Sequence, residues 1–478
     1  MQNIINGKWV DASDKSTMNI VNPYTGKVID TVPNATAKDV NKAVEYAKKA
    51  GKTWANVPIH KKVDILDHFL DLVDLNKDDL AKTLSKETGK PITQAYGEIA
   101  NIRIGFSAFM EKAKHLYGNA IPAGTESGQE YTIQFTVREP LGVMVAILPF
   151  NFPCDLFDQK VAPSILAGNT IIVKPPHQNP LTVIKLVALL HQAGLPNGVV
   201  QVLTGEGLKT GNPLSKHPDV HGITFTGSTA VGKSIYANGA SHMAHVALEL
   251  GGNDAFIVLK DADIDLAVEE VVWGRMYNTG QVCCASKRFI VEKEVLKDFE
   301  TKVVERLKKL VVGNPLDKKT EIGALVTKAA CDKAVQQIKT AVAQGGKILL
   351  GGKAEGAVLQ PTVITNIPKT ADVAKDEEIF APVVSIIPCD NVDEAIEIAN
   401  SSCYGLCGCV FTRDMNTAFK VCSKLECGGT VINGASFHRS FEIPFGGYKM
   451  SGIGTEGVMS TFDQVTKTKT ITLKNVLK

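Results

Sequence analysis

Three polar side chains in this sequence have the chemistry that acyl transfer requires. Cys283 follows a Gly-Gln turn in the segment NTGQVCCA that begins at Asn278, Glu249 ends a predicted strand before two glycines, and Asn151 lies in the short segment PFNFP. A thiol attacks a carbonyl when a base activates it, and an amide donor stabilises the oxyanion that forms. Each residue taken alone is more often structural, because a single Cys is usually buried, a single Glu solvated and a single Asn part of a turn.

A second segment suggests phosphate chemistry. Gly227 to Ser234 (GSTAVGKS) matches the Walker A pattern, follows the predicted strand Gly222–Thr226 and begins a helix. In a P-loop NTPase, Lys233 would contact the β- and γ-phosphates and Ser234 a Mg²⁺ ion. Alternatively, Gly227 and Ser228 let a pyrophosphate approach the free N–H groups of a helix N-terminus, and Lys233 is a solvated helix residue. The motif alone does not decide between the two.

Six motifs, in this order along the chain, resemble the aldehyde dehydrogenase superfamily. They are Phe150-Asn-Phe-Pro153, Phe225-Thr-Gly-Ser228, Leu248-Glu-Leu-Gly-Gly252, Gly280-Gln-Val-Cys283, Glu378-Ile-Phe-Ala-Pro382 and Pro444-Phe-Gly-Gly-Tyr-Lys-Met-Ser-Gly452. The resemblance covers nearly the whole chain and is nearest to bacterial lactaldehyde-, glyceraldehyde- and semialdehyde-type members. It implies that the Phe-Thr-Gly-Ser turn contacts a dinucleotide cofactor, which disfavours the NTPase hypothesis.

The resemblance also implies an activity and its catalytic residues. The activity is oxidation of an aldehyde to the carboxylic acid with reduction of NAD(P)⁺. Cys283 would be the nucleophile, with Cys284 outside the aligned position. Asn151 and the Cys283 backbone N–H would form the oxyanion hole, and Glu249 would activate water for deacylation, which favours hydrolysis over transfer to CoA. The family's frequent proton-relay pair falls on Lys160 and Glu456. Because these groups are intact, a catalytically idle structural homologue is disfavoured.

The implied cofactor is NAD or NADP. Lys174 would bind the adenine ribose and Glu378 the nicotinamide ribose. The other implied cofactor contacts are Ile147, Leu148, Pro149, Phe150, His177, Gln178, Gly207, Gly211, Phe225, Thr226, Gly227, Ser228, Val231, Leu250, Gly251, Phe380, Leu406 and Phe445. NAD-preferring members commonly carry a glutamate three residues after the lysine, where this chain has His177. A histidine can donate to a 2′-phosphate, so we expect NADP⁺ to be accepted. Alternatively, His177 points to solvent and NAD⁺ is preferred through other contacts.

The substrate is less well defined by the sequence. Members specific for succinate semialdehyde tend to carry arginines at the positions of Gln159 and Tyr277, so that carboxylate clamp is missing here. Arg439 either contacts a polar substrate tail or lies on the surface. A small aliphatic, hydroxy- or semialdehyde is therefore expected. Three departures from the family pattern, none of which removes a reacting group, are Phe150, Ala381 and Thr455.

Alternating strand and helix patterns must position these residues. The apolar runs Val143–Leu148, Thr170–Val173, Val199–Leu203, Gly222–Thr226 and Ala255–Leu259 are predicted strands, with helices over Cys154–Ala167 and Pro180–Ala193. This rhythm predicts an α/β fold with a parallel sheet whose ligands lie beyond the carboxyl ends of the strands. A second α/β region follows from about Asp261 to Asp414.

Two alternating segments, Gly128–Arg138 and Thr466–Leu473, fall outside that rhythm and predict a small third unit. With the resemblance, this organisation becomes a Rossmann-like NAD(P)-binding domain (1–121 and 141–251), a catalytic α/β domain (252–450) and a β arm for oligomerisation (122–140 and 459–478). A homodimer or homotetramer is expected.

Composition excludes several other classes. The 478 residues exceed one ordinary domain, and 52 basic against 50 acidic side chains give no electrostatic case for binding nucleic acid or an anionic membrane. The sequence shows no signal peptide and no apolar run of about 18 residues, so a cytoplasmic protein is expected. Ten cysteines in so long a chain do not suggest a disulfide scaffold. Cys403, Cys407 and Cys409 cluster without a nearby histidine or zinc-site spacing, so they are predicted to be core residues, and no metal site is expected.

Overall fold

The structure is a computed structural model that describes residues 1–476. Its α-helices are α1 Ala37–Trp54, α2 Ile59–Leu75, α3 Lys77–Thr88, α4 Ile92–Ala113, α5 Pro153–Leu166, α6 Leu181–Gln192, α7 Asn212–Lys216, α8 Thr229–Ala240, α9 Ile264–Val271, α10 Lys293–Leu307, α11 Lys328–Ala343, α12 Val392–Asn400, α13 Met415–Lys424 and α14 Val458–Val465. Short π- or 3₁₀-helical turns cover Gly207–Gly211, Val272–Met276, Tyr277–Gly280 and Asp372–Ala374.

The strands are β1 Asn3–Ile5, β2 Lys8–Val10, β3 Thr17–Val21, β4 Val28–Pro33, β5 Ala120–Ile121, β6 Ile133–Pro140, β7 Val143–Ile147, β8 Thr170–Lys174, β9 Val200–Val202, β10 Gly222–Thr226, β11 His245–Glu249, β12 Asp254–Val258, β13 Ser286–Glu292, β14 Lys347–Leu350, β15 Ala354–Glu355, β16 Val358–Leu359, β17 Thr362–Thr365, β18 Val383–Cys389, β19 Tyr404–Gly405, β20 Cys407–Phe411, β21 Gly429–Ile432, β22 Tyr448–Lys449, β23 Gly452–Ile453 and β24 Thr466–Leu473. Three short antiparallel pairs, β3 with β4, β15 with β16 and β19 with β22, lie outside the larger sheets.

The first sheet has the strand order β2-β1-β9-β8-β7-β10-β11-β23, and its five central strands are parallel. Taken in chain order, those five lie as 3-2-1-4-5, the arrangement typical of dinucleotide-binding folds. The direction of winding reverses between β7 and β10, and such a switch point leaves a crevice at the carboxyl ends of the strands. The α/β class predicted from the sequence is thereby confirmed.

Alternate residues of the central strands are buried in two separate hydrophobic cores, one on each face of the sheet. Met144 and Ala146 of β7 pack with the helices on one face, whereas Val143, Val145 and Ile147 pack on the other. Successive side chains of a strand point to opposite faces, so a continuous apolar run marks a strand covered on both sides. Burying one such side chain stabilises the fold by about 1.5–3 kcal/mol, which makes this sheet a rigid support for the polar residues at its edge.

The second sheet has the order β14-β17-β18-β13-β12-β20-β21, with β14 antiparallel at one edge. Its strand β12 corrects one prediction. The run Ala255–Leu259 was assigned to the first sheet, but Ala255 to Val258 pair with β13 and β20 of the second. A buried parallel strand is apolar on both faces in either sheet, so its pattern does not identify its neighbours.

The third sheet is antiparallel, in the order β24-β6-β5. It joins the two alternating segments predicted to form a small unit, since Thr466 to Leu473 pair continuously with Pro140 to Ile133. The strand predicted over Gly128–Arg138 begins later, at Ile133. Residues 477 and 478 of the predicted arm lie outside the described residues.

Candidate active site

Asn151 lies on the turn that joins β7 to α5, at the carboxyl edge of the first sheet. Its backbone carbonyl accepts hydrogen bonds from Lys90 Nζ and from Asn278 Nδ2, each at 2.9 Å. Lys90 forms a buried ion pair with Glu98, whose other oxygen accepts the Cys154 N–H at 2.8 Å. The side-chain amide of Asn151 has no hydrogen-bond partner among residues 1–476, so it is free to donate to a ligand.

Cys283 lies on the loop between the helical turn Tyr277–Gly280 and β13. Asn278 and Thr279 both have left-handed backbones, with φ of 50° and 54°. Such a conformation costs a non-glycine residue roughly 1–2 kcal/mol and persists where the surroundings hold it. Asn278 Nδ2 supplies part of that restraint, because it bridges the carbonyls of Asn151 and, at 3.2 Å, of Gln281. The side chain of Asn278 therefore ties the loop of the nucleophile to the turn of Asn151.

The surroundings of Cys283 favour its neutral thiol over the thiolate. A contact of 3.9 Å with the Cys284 Sγ, together with burial, raises the pKa of Cys283 well above its usual range, while Lys287 and Arg439 oppose the shift. Since the thiolate is the nucleophilic form, a base must take the proton during attack. The Cys283 backbone N–H donates to no group of the described residues.

Glu249 ends β11 and is 4% exposed. Neither carboxylate oxygen has a hydrogen-bond partner within residues 1–476. Burial raises the pKa of Glu249 well above its usual range, Glu456 raises it further, and Lys160 opposes them. A buried carboxyl group without a partner is unfavourable, so this position suits a group whose partner is a bound water molecule or a reactant.

Lys160 and Glu456, the predicted relay pair, form a buried ion pair between α5 and the segment before α14. Lys160 Nζ also donates to Thr224 Oγ1 at 3.0 Å. Glu456 and Glu249 line the same cavity, so the ion pair lies beside the candidate base.

Two cavities meet at the candidate nucleophile. The larger, of about 760 Å³, follows the carboxyl edge of the first sheet, and the smaller, of about 240 Å³, lies beside α5. Cys283, Asn151 and Thr226 line both cavities, while Cys284 and Glu249 line only the smaller one. A ligand in either cavity can therefore reach Cys283.

The larger cavity brings together most of the residues predicted to contact a cofactor. These are Ile147, Leu148, Pro149, Phe150, Lys174, His177, Gln178, Gly207, Gly211, Phe225, Thr226, Gly227, Ser228, Val231, Leu250, Gly251, Glu378 and Phe380. Leu406 and Phe445 do not line it: Leu406 is buried behind the Cys283 loop, and Phe445 lines the smaller cavity.

The larger cavity fits a dinucleotide. Helix α8 starts at its wall, and the Ser228 side chain makes no capping hydrogen bond, so the first-turn N–H groups can bind a pyrophosphate. A Cβ atom on Gly251 would lie 2.6 Å from Glu378 Oε2, so this glycine leaves room for the glutamate that lines the cavity. Lys233 of the Walker-like segment is exposed and does not line the cavity.

Lys174 and His177 line this cavity together with Gly207 and Gly211, and a Cβ atom on Gly211 would lie 3.7 Å from the Lys174 side chain. Lys174 is buried, which lowers its pKa to about 8, and within residues 1–476 its Nζ donates only to the Pro175 carbonyl, at 3.1 Å. Burial and Lys174 also lower the pKa of His177, while Glu206 opposes them. An anion bound here would supply the partner that the lysine lacks.

The smaller cavity has one aromatic and one polar side. Its aromatic wall consists of Phe152, Trp273, Tyr277, Phe437 and Phe445. Its polar lining includes Asn101, Asp155, Gln159 and Arg439, so the Gln159 and Tyr277 positions singled out in the sequence do face this space. Arg439 stacks on Phe445, with its guanidinium carbon 3.4 Å from the ring centroid, and forms no ion pair within the described residues.

Several site residues escaped the sequence analysis. Lys287 donates to the Cys283 carbonyl at 2.5 Å and pairs with Glu378 at 3.2 Å, linking the nucleophile loop to the larger cavity. Lys333 and Gln337 of α11 line that cavity as well. No pattern in the sequence marks these residues, because α11 reaches the cavity only through tertiary packing. Asn278, in contrast, begins the segment NTGQVCCA that contains Cys283.

Comparison with known proteins agrees with this geometry. The profile of the Aldehyde dehydrogenase family matches residues 9–471. The 3-sulfolactaldehyde dehydrogenase of Priestia aryabhattai is 37% identical over 469 residues, 98% of this chain and 97% of that protein. The lactaldehyde dehydrogenase of Methanococcus maripaludis is 38% identical over 476 residues, 99% of this chain and 100% of that protein.

Solved structures are similar over the same extent. An NADP-dependent enzyme of E. coli superposes with a TM-score of 0.96 at 34% identity, covering 99% of this chain and 98% of that one. Betaine aldehyde dehydrogenase of Staphylococcus aureus in complex with NAD⁺ superposes with a TM-score of 0.95 at 32% identity, covering 100% and 95%. The chain belongs to the aldehyde dehydrogenase family. It is an NAD(P)-dependent oxidoreductase that converts aldehydes to acids, which excludes the NTPase hypothesis for Gly227 to Ser234.

Two further observations concern membranes and metals. In the part of the chain that the structure describes, no helix combines the length and apolarity needed to cross a bilayer. The same residues hold no group of three or more His, Cys, Asp or Glu side chains arranged for a metal ion. Of the three clustered cysteines predicted to be core, Cys407 and Cys409 are buried, but Cys403 is exposed, because it lies on the turn after α12. That part of the prediction was wrong.

Proposed function

We propose that this enzyme oxidises a small hydroxy- or semialdehyde through a thioester on Cys283. The observation that carries the proposal is the meeting of two cavities at this one thiol, with the unpartnered carboxyl group of Glu249 in the smaller of them. A dehydrogenase that works through a covalent intermediate needs its nucleophile within reach of both cofactor and substrate.

In the first step the Cys283 thiol gives its proton to solvent water, and its sulfur attacks the aldehyde carbon. The carbonyl oxygen becomes an oxyanion, and the amide of Asn151 and the backbone N–H of Cys283 stabilise it, since both donors lack protein partners. Lys90 and Asn278 both donate to the backbone carbonyl of Asn151 and so hold the residue in position. The N–H groups of its side-chain amide therefore remain available to the oxyanion.

The residues of the larger cavity would hold NAD(P), which when bound would supply the hydride acceptor for oxidation of the aldehyde carbon. In this proposal Lys174 binds the adenosine ribose, the N-terminus of α8 binds the pyrophosphate and Glu378 binds the nicotinamide ribose. Lys287 keeps Glu378 in place beside the Cys283 loop.

Hydrolysis then releases the acid. Glu249 takes a proton from a water molecule, which attacks the thioester carbonyl, and Cys283 leaves as the thiolate. The raised pKa of Glu249 makes its ionised form a strong proton acceptor. The adjacent Lys160–Glu456 pair offers a path by which that proton can leave the site.

The substrate proposal rests on the smaller cavity and on the relatives. A volume of about 240 Å³ suits a short aldehyde, and the two relatives named above act on lactaldehyde and 3-sulfolactaldehyde. A quaternary ammonium aldehyde fits less well, because the unpaired charge of Arg439 would repel it and Arg439 already covers the Phe445 ring. Neutral or anionic tails are therefore favoured.

The direct test is a panel of short aldehydes assayed with both NAD⁺ and NADP⁺. Wild-type enzyme should oxidise small hydroxy- or semialdehydes with a higher kcat/KM than betaine aldehyde, and Cys283→Ala should oxidise none. Betaine aldehyde as the best substrate of the panel would overturn the substrate assignment. Acid formation by Cys283→Ala would overturn the mechanism.

We further propose that NADP⁺ is accepted, and is preferred if His177 meets the 2′-phosphate. Lys174 lacks an acidic partner, and no carboxylate stands at the His177 position to repel a phosphate. His177→Glu should raise the KM for NADP⁺ far more than the KM for NAD⁺. Equal effects on both, or a wild-type enzyme inert with NADP⁺, would contradict this proposal, and the solvent-facing role of His177 would then hold.

We also propose a domain organisation, an oligomerisation arm and a cellular location for this protein. Residues 1–121 and 141–251 form the cofactor domain, 252–450 the catalytic domain, and 122–140 with 459–478 an arm that joins subunits into a dimer or tetramer. The three-stranded sheet supports the arm, since β24 leaves an unpaired edge. A cytoplasmic location is supported by ten free cysteines. Light scattering of the intact chain, compared with a chain lacking residues 466–478, tests the arm.

A further inference from the structure

One carboxyl group of the smaller cavity, that of Asp155, has no role in the proposed mechanism. Asp155 lies in the first turn of α5, and its side chain lines the cavity together with Asn101 of α4. Asn101 Nδ2 donates to Asp155 Oδ2 at 3.4 Å, whereas Oδ1 is buried and has no partner within residues 1–476. Glu249 also lacks a hydrogen-bond partner within residues 1–476, but the proposed mechanism has it take a proton from water. The mechanism gives Asp155 no such role.

Burial and four neighbours determine the charge state of Asp155. Burial and the nearby Glu98 raise the pKa of Asp155 to about 8, while Lys90, Asn101 and Arg439 act in the opposite direction. The group is therefore mainly a neutral acid near pH 7, with one O–H donor and acceptor oxygens. A neutral acid beside an amide is complementary to a group that both donates and accepts, and an alcohol has this property.

Asp158, one turn away on the same helix, provides a contrast. Its carboxyl group is also buried and without a partner, but it does not line the cavity and packs against Gly105, where an added Cβ would lie 2.3 Å from Oδ2. No ligand can reach Asp158 from the cavity. The two residues thus share their chemistry and differ in access to the cavity, since Asp155 is partly buried and Asp158 is fully buried.

We propose that Asp155, supported by Asn101, is a specificity-determining residue that binds a hydroxyl group on the carbon chain of the aldehyde substrate. The proposal rests on the proposed function, because it places that substrate in the smaller cavity with its carbonyl at Cys283. Asp155 takes no part in the covalent chemistry. It selects hydroxylated aldehydes over aliphatic ones, since an aliphatic chain would leave the carboxyl group desolvated and unpaired.

The test compares three-carbon aldehydes that differ only in the hydroxyl group: propanal, 2-hydroxypropanal and 3-hydroxypropanal. Wild-type enzyme should prefer at least one hydroxylated aldehyde to propanal by 10-fold or more in kcat/KM. Asp155→Leu should lower kcat/KM for that substrate by about 10- to 100-fold, the effect of losing one buried hydrogen-bonding partner, and leave propanal within about 3-fold. Asp155→Asn keeps a donor and an acceptor and should retain most of the preference.

Asp158→Asn is the matched control, because it removes a carboxyl group one turn away on the same helix that does not line the cavity. The hydroxypropanal-to-propanal ratio should not change in it. If Asp155→Leu does not fold, Asn101→Leu, which removes the partner amide on α4, should still lower the ratio. The proposal is overturned if Asp155→Leu and Asn101→Leu reduce all three substrates equally, or if neither changes the ratio. In either case, oxidation of the hydroxypropanals that is lost in Cys283→Ala would show that the proposed function itself still holds.

Discussion

Replacing Glu249 by Gln separates the two halves of the proposed reaction. Both carboxylate oxygens lack protein partners, so the substitution breaks no hydrogen bond among residues 1–476 and leaves the side-chain shape nearly unchanged. It removes only the ability to take a proton. General-base catalysis contributes roughly 10²–10⁴-fold, so steady-state turnover should fall by about that factor, while attack and oxidation should proceed at nearly the wild-type rate.

Stopped-flow absorbance of NAD(P)H provides the assay. Glu249→Gln should give a rapid burst of about one NAD(P)H per active site followed by very slow turnover, and mass spectrometry of the quenched enzyme should find the acyl group on Cys283. Asn151→Ala is the informative comparison, because loss of one oxyanion donor slows the first step by roughly 10²–10³-fold and should abolish the burst. A normal steady state in Glu249→Gln would refute the assignment of Glu249 as the deacylation base.

Three further predictions follow from the site. Cys283→Ala should abolish oxidation while Cys284→Ala retains most of it, since only Cys283 lines both cavities; an acyl adduct found by mass spectrometry on Cys284 would show the reverse. The pH profile of kcat/KM should rise from neutral to alkaline pH, because the raised pKa of Cys283 keeps the thiol protonated at lower pH, and a profile that falls over that range would contradict this. Lys233→Ala should leave dehydrogenase activity within a few-fold and the protein should hydrolyse no ATP, because Lys233 is exposed and outside the cavity.

The sequence singled out the candidate reacting groups more readily than the residues around them. Cys283, Glu249 and Asn151 stood out by their residue types and motifs, and all three line the smaller cavity, while Cys283 and Asn151 also line the larger one. Such motifs lie in short segments next to strand ends, where parallel strands bring them to one edge of the sheet. Local sequence therefore carries much of the information about where these groups lie.

Long-range packing explains what was missed. Phe445, which was predicted to contact the cofactor, lines the smaller cavity, where Arg439 stacks on its ring; its contact with the cofactor stays a prediction. The position of Phe445 depends on how the loop before β22 packs against the Cys283 loop. The sequence of the loop before β22 has no periodicity that predicts this packing. Asp155 gave no sequence signal either, because a carboxylate in the first turn of a helix is ordinary. Its significance comes from Asn101, 54 residues away on α4.

The support of Asn151 shows why charged residues far from the reaction matter to it. Lys90 is fully buried, forms an ion pair with Glu98 and donates a hydrogen bond to the Asn151 backbone carbonyl. Glu98 also accepts hydrogen bonds from the first N–H groups of α5. Removing Lys90 would leave Glu98 as a buried, unpaired charge, a change that costs about 3–5 kcal/mol. One ion pair thus joins α4, the Asn151 turn and the start of α5, the helix that carries Asp155 and Lys160. The position of the oxyanion donor and the shape of the substrate cavity consequently depend on the same buried contact.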